Sequence, residues 1–137
     1  MLRHLNHLEK QEFAKLKTII AGSRNCYDFK IVLNAIKESG FADEITEVVS
    51  GGALGVDKLG EKFAHKFDIP LKIFLADWKK YDKAAGPIRN REMSEYADAL
   101  IAVWNGKSRG TANMIEEAKK RNLKMFVKII CDSHQKS

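Results

Sequence analysis

The stretch Val48–Asp57, VVSGGALGVD, decides the fold. A short apolar run, Ile45–Val49, ends at Ser50. Gly51 and Gly52 follow, then Gly55, and from Val56 apolar residues recur at helical spacing. Strand, glycine turn, helix is the order that builds a phosphate site. Glycine lets the backbone approach an anion without a Cβ in the way, and a helix start supplies unpaired N–H groups at the positive end of its dipole. The order is not the dinucleotide pattern G-x-G-x-x-G, and no Gly-Lys-Ser/Thr follows as in a P-loop. Taken alone, the turn fits a tight connection as well as a ligand site. Its weight comes from the loops that the same alternation places beside it.

Working outward, Leu16–Ala21 reads as the first strand, followed by Gly22-Ser23-Arg24. Asp28 is an N-cap for a helix through Phe29, Val32, Leu33 and Ile36, which Gly40 ends. After the central turn, Val56, Leu59, Gly60, Phe63, Ala64 and Phe67 form one helical face, and Gly60 on that stripe predicts close helix–sheet contact. Asp57 falls in the first turn, where a carboxylate is stabilised by the dipole; orienting Arg24 or a ligand hydroxyl is its second reading. Pro70 opens a third strand, Leu71–Ala76.

The segment from Asp77 to Gly86, DWKKYDKAAG, reads as a loop in which Lys79, Lys80 and Lys83 interleave with Trp78 and Tyr81. That composition suits a nucleotide lid, a single-strand platform or a surface loop pinned by its aromatics. Pro87 fits the first turn of a helix reaching Tyr96. Arg89 and Asn90 are early enough to face a ligand, whereas Arg91 lies on another face, either in solvent or as an ion-pair partner for Glu95. Ala99–Val103 is the fourth strand. It leads through Gly106-Lys107-Ser108-Arg109-Gly110-Thr111 into a helix carrying Ala112, Ile115 and Ala118, capped by Asn122. Lys124–Ile130 is the fifth strand. The sum is an α/β chain, a three-layer Rossmann-like sandwich on a mostly parallel five-stranded sheet. Residues 16–131 form its domain, 1–15 an N-terminal extension with leucines at helical spacing, and 132–137 a polar tail. The loops Gly22–Arg24, Ser50–Gly55 and Gly106–Thr111, with the Pro87 helix start, then share one sheet edge, where open α/β sheets bind ligands.

Composition narrows the partners. The 137 residues suffice for one core, and 45% apolar with 31% charged content is globular. A net charge of +6 suits phosphate-bearing partners and equally ordinary solubility. Two cysteines and four histidines lack a ligand pattern, so neither metal nor cofactor is expected. No apolar run reaches the roughly 18 residues that span a bilayer, and no signal-peptide core opens the chain, so a cytoplasmic protein with no membrane partner is expected.

With IIAGSR, VVSGGALGVD, AAGPIRNREM and ALIAVWNGKSRGT in hand, the chain resembles the SLOG superfamily of Rossmann-like domains, most of all its YspA-related branch. The resemblance implies a nucleotide-derived ligand and, often, a dimer. Two relatives differ in what they imply. The lonely-guy phosphoribohydrolases share Gly22-Ser23, an arginine motif similar to Arg89–Met93, and Gly110-Thr111. Met114 stands where their catalytic glutamate would be, which argues for a ligand-binding domain over an N-glycosidase; Glu116 or Asp57 would have to substitute. The DNA-processing protein A family is similar at Ser50–Asp57, Arg89–Arg91 and Ala99–Val103, and implies single-stranded nucleic acid. The leading expectation is a nucleoside monophosphate, ADP-ribose or another NAD-derived molecule. Gly51, Gly52, Gly110 and Thr111 would sit at phosphate, with Arg89 as clamp. Ser23 and Arg24 would line the ribose or a second phosphate, and Trp78 or Tyr81 would stack on the base. Gly22, Ser50, Gly55, Asp57 and Asn90 complete the expected site.

Overall fold

A computed structural model describes residues 15–131. The N-terminal extension up to residue 14 and the tail from 132 lie outside the described residues. Five strands form a single sheet in the order β3-β2-β1-β4-β5, every neighbouring pair parallel. They are β1 (Leu16–Gly22), β2 (Ile45–Ser50), β3 (Leu71–Ile73), β4 (Ala99–Trp104) and β5 (Lys124–Ile129). Between them run α1 (Phe29–Glu38), α2 (Val56–Lys66), the short α3 (Trp78–Tyr81), α4 (Ala85–Tyr96) and α5 (Arg109–Lys120).

The strand alternation divides the core in two. Ile20, Val48, Ile101 and Val103 face α1 and α2, meeting Val32, Ile36, Val56 and Phe63. Their neighbours Ile19, Val49, Leu100 and Ala102 face the opposite way and meet Met93 of α4 with Met114 and Ile115 of α5. Strands buried on both faces need continuous apolar runs, which is what IIA and ALIAV supply. Gly60 lets α2 lie directly on β1, since a Cβ there would come within 2.8 Å of Ile20. The Asp28 carboxylate caps α1 by accepting from the Lys30 amide at 2.9 Å. Asn122 takes the left-handed conformation after α5.

Three elements depart from the sequence reading. β3 stops at Ile73, three residues short of the expected Ala76; it is the edge strand, with Leu71 and Ile73 exposed. The expected loop from Asp77 to Gly86 is helical over most of its length. Asp77 caps α3, a 3-10 turn covers Asp82–Ala84, and α4 begins at Ala85, two residues before Pro87. Glu95 pairs with Arg121, the residue that caps the end of α5, at 3.3 Å, not with Arg91. The contact joins two helices on the same sheet face.

Strand order reverses between β1 and β4. The connection from β1 crosses over one face towards β2, and that from β4 crosses the other face towards β5. The two loops leaving these strands therefore part at their carboxyl ends and open a crevice.

Candidate functional site

The crevice is an open cleft enclosing a cavity of about 70 Å³, room for a few waters or one phosphate-sized group. Ala21 and Gly22 of β1, with Met93 and Met114, form its walls and floor. Arg24, Ala53 and Asp57 line one side; Arg89, Asn90, Ser108, Gly110 and Thr111 line the other. The loops expected to share one edge do meet here, from four separate stretches of chain.

The central glycine turn is arranged differently from the phosphate cradle its sequence implies. The Gly52 amide donates to Ser50 Oγ at 3.0 Å, and the Ala53 amide donates to Asp57 Oδ2 at 3.2 Å. Ser50 is fully buried and donates to Glu61 Oε2 at 2.7 Å. The α2 start is partly closed by the chain itself, since the Val56 amide donates to the Ser23 carbonyl at 3.1 Å. Gly55 lies against the Ser23–Arg24 backbone, where any Cβ would collide. Ser50, Gly52 and Gly55 thus build the turn and turn their polar groups inward. Gly51 is different. Its carbonyl accepts from Arg89 Nη1 at 2.5 Å, and a Cβ there would stand 2.7 Å from that nitrogen and 3.0 Å from Asp57 Oδ2. The missing side chain is what lets guanidinium and carboxylate come within about 6 Å of each other.

Asp57 is 5% exposed. Burial pushes its carboxyl up to about 6, against the Ala53 amide, the Arg89 charge and the Gly22 amide, and with the Glu61 carboxylate. The same desolvation holds Arg89 below its ordinary value, opposed by the Asp57 charge. Between pH 4 and pH 6 the folded protein therefore keeps a proton that the unfolded chain has released. Stability from this group falls as pH rises through that window, by roughly 3 kcal/mol once the carboxylate is fully charged. Urea denaturation of the wild type and of Asp57→Asn across pH 4–7.5 measures it. The variant is expected to lose most of that decline; identical slopes contradict it.

The other side of the cleft is the start of α5. The first intrahelical bond runs from the Ala112 amide to the Ser108 carbonyl at 3.1 Å, so the amides of Arg109, Gly110 and Thr111 precede it. Ser108 occupies the N-cap position without capping a backbone amide; its hydroxyl lies 3.3 Å from that of Thr111. A Cβ on Gly110 would meet nothing within 4 Å. An anion entering here finds N–H groups, two hydroxyls and the helix dipole.

Asn90 ties α4 to the α5 start on this side of the cleft. It is buried, donates through Nδ2 to the Gly110 carbonyl at 3.2 Å and to Asn113 Oδ1 at 2.9 Å, and accepts from Arg89 Nε at 3.0 Å. With both amide hydrogens engaged, it positions Arg89 against α5 and is not itself open to a ligand. Ser23 is likewise buried; its hydroxyl oxygen accepts from the Asn105 amide at 3.1 Å and ties the β1 loop to the β4 loop. Arg24 is exposed at the mouth. Trp78, 54% exposed, is not in the cleft. Sequence reasoning missed Asn113 and Ser108. Asn113 sits on a helix face with no motif to mark it, whereas Ser108, three residues before Thr111, carried an N-cap signal that was readable. Glu116 is exposed on the outer side of α5, and Met114 is buried at the cleft floor. Among the described residues no group of three or more His, Cys, Asp or Glu side chains is placed to hold a metal ion, and no helix is long and apolar enough to cross a membrane.

A parallel sheet in the order 3-2-1-4-5, with loops gathered over its reversal point, defines the class of Rossmann-like α/β domains. Within that class, residues 16–81 match the model of the YspA, cpYpsA-related SLOG family. The matched span carries β1, the glycine turn, Asp57 and α3; Arg89 and the α5 start lie beyond it. No curated protein and no solved structure matches the chain.

Proposed function

We propose that the chain binds a nucleotide-derived small molecule, a nucleoside monophosphate, ADP-ribose or another NAD-derived compound, through a phosphate held between Arg89 and the start of α5. One observation carries the reading. The α5 start leaves its amides, two hydroxyls and an empty Gly110 flank facing a guanidinium that Asn90 holds in place. A charge-assisted clamp beside a helix dipole is an anion site. The family match over residues 16–81 supports a nucleotide-related ligand in general terms. Asp57, buried opposite, would accept from a sugar hydroxyl, and Arg24 would close the mouth over the phosphate. Met114 puts no carboxylate at the cleft floor, which favours binding over hydrolysis.

Thermal denaturation and calorimetry against those nucleotides test the proposal. At about 100 times its dissociation constant, a ligand should stabilise the fold by about 2.7 kcal/mol. No stabilisation by any of them at saturating concentration overturns it. Gly110 supplies a sharper check. Its backbone is not in the left-handed region, so alanine suits the helix as well or better. Gly110→Ala should hold or raise stability by up to about 1 kcal/mol while weakening nucleotide binding. Unchanged affinity would show that no ligand approaches this flank.

A single-stranded nucleic acid is the second reading. It rests on exposed Trp78 beside Lys79 and Lys83, outside the cleft. Oligonucleotide binding that weakens steeply with salt, and that mononucleotides do not compete, would favour it.

A further inference from the structure

A second and larger cavity, about 200 Å³, adjoins the cleft, and the two share one residue, Arg89. Its inner wall is a single stripe of α4: Ala85, Ile88, Arg89 and Glu92, spaced as one helical face. The outer wall comes from the segment after β3 and from α3, through Leu75, Asp77, Lys80 and Tyr81. We infer that this cavity receives the base of a nucleoside monophosphate whose phosphate lies at the α5 start, with Arg89 between the two ends. The inference rests on the nucleotide reading of the cleft and extends it.

The chemistry of the walls selects the occupant. Leu75, Ala85 and Ile88 present apolar surface, and the Tyr81 ring, 38% exposed, offers a face for stacking. Lys80 Nζ sits 5.0 Å from that ring's centroid. Two carboxylates, Asp77 and Glu92, border the space and disfavour a second anionic group. Asp77 Oδ1 is engaged by the Lys80 amide at 3.1 Å. Among the described residues none bonds or ion-pairs with Glu92, so its carboxylate is open to accept from a ring N–H. Lys80 and Arg89 disfavour a cation. A neutral, planar ring with N–H donors satisfies all of these, and adenine has that character. Trp78, on the same short helix, lies outside both cavities.

Calorimetry with two probes separates this subsite from the phosphate site. AMP carries ribose 5-phosphate plus the base, so wild-type protein should bind AMP about tenfold or more tightly than ribose 5-phosphate. Tyr81→Ala and Glu92→Ala are surface changes whose folding a melt verifies. Each should weaken AMP several-fold and leave ribose 5-phosphate within twofold. Equal affinity for the two probes in the wild type, or an AMP advantage that survives both substitutions, overturns the base subsite while the phosphate site stands. Failure of both probes to bind at millimolar concentration defeats the phosphate site and this inference with it.

Discussion

Exchange of Arg89 for alanine is expected to lower nucleotide affinity by about 100-fold or more. Two charge-assisted hydrogen bonds to a phosphate, at about 1.5–3 kcal/mol each, set that scale. The loss has a second source. Arg89 Nη1 holds the Gly51 carbonyl and its Nε holds Asn90 Oδ1, so the guanidinium links the glycine turn to the α4–α5 pair. Without it, buried Asp57 also loses its positive neighbour, and its carboxyl moves still higher than about 6. Arg89→Lys should not restore binding, because an ammonium cannot serve the Gly51 carbonyl, Asn90 and a phosphate through one planar fork. Calorimetry on folded variants decides it. Arg89→Ala protein with wild-type affinity would remove the guanidinium from any account of the ligand.

The second large effect is on stability. Gly55 has φ +78°, and a Cβ there would meet Arg24 backbone atoms at 2.5 Å and also the Ser23 carbonyl. Neither obstacle is a flexible side chain. The Ser23 carbonyl already accepts from Val56, so the loop cannot retreat without breaking the closure of α2. Gly55→Ala should therefore destabilise by more than about 3 kcal/mol, combining backbone strain with the collision. Chemical denaturation gives the value directly. A wild-type midpoint would mean that the two loops are not packed as described.

Most of the fold was legible because both faces of the sheet are covered. Runs such as IIA and ALIAV, cut by glycine or asparagine, mark strands whose boundaries then fall within a residue or so. Legibility failed at the edge. β3 has no partner beyond it, and the apolar run continues through Phe74, Leu75 and Ala76, past the end of the strand at Ile73. It failed again at Asp77–Gly86, where lysines and aromatics read as a loop although Asp77 was a readable N-cap.

At the site, the sequence identified which loops converge but not how their amides are used. SGGALGVD contains its own acceptors, Ser50 for the Gly52 amide and Asp57 for the Ala53 amide. Local side-chain-to-backbone bonding of this kind was the available sign that the turn closes on itself. Gly51, Gly52 and Gly110 read alike from sequence, yet of the three Gly110 lies at the open helix start. Asn90 and Asn113 meet across two helices and 23 positions, a pairing that no local pattern reveals.

A crystal structure with AMP bound tests the central claim most directly. The account predicts the phosphate within hydrogen-bonding distance of the Gly110 and Thr111 amides and of the Arg89 guanidinium. A phosphate held instead by the Gly51–Gly55 turn, or bound away from the β1–β4 crevice, would contradict it.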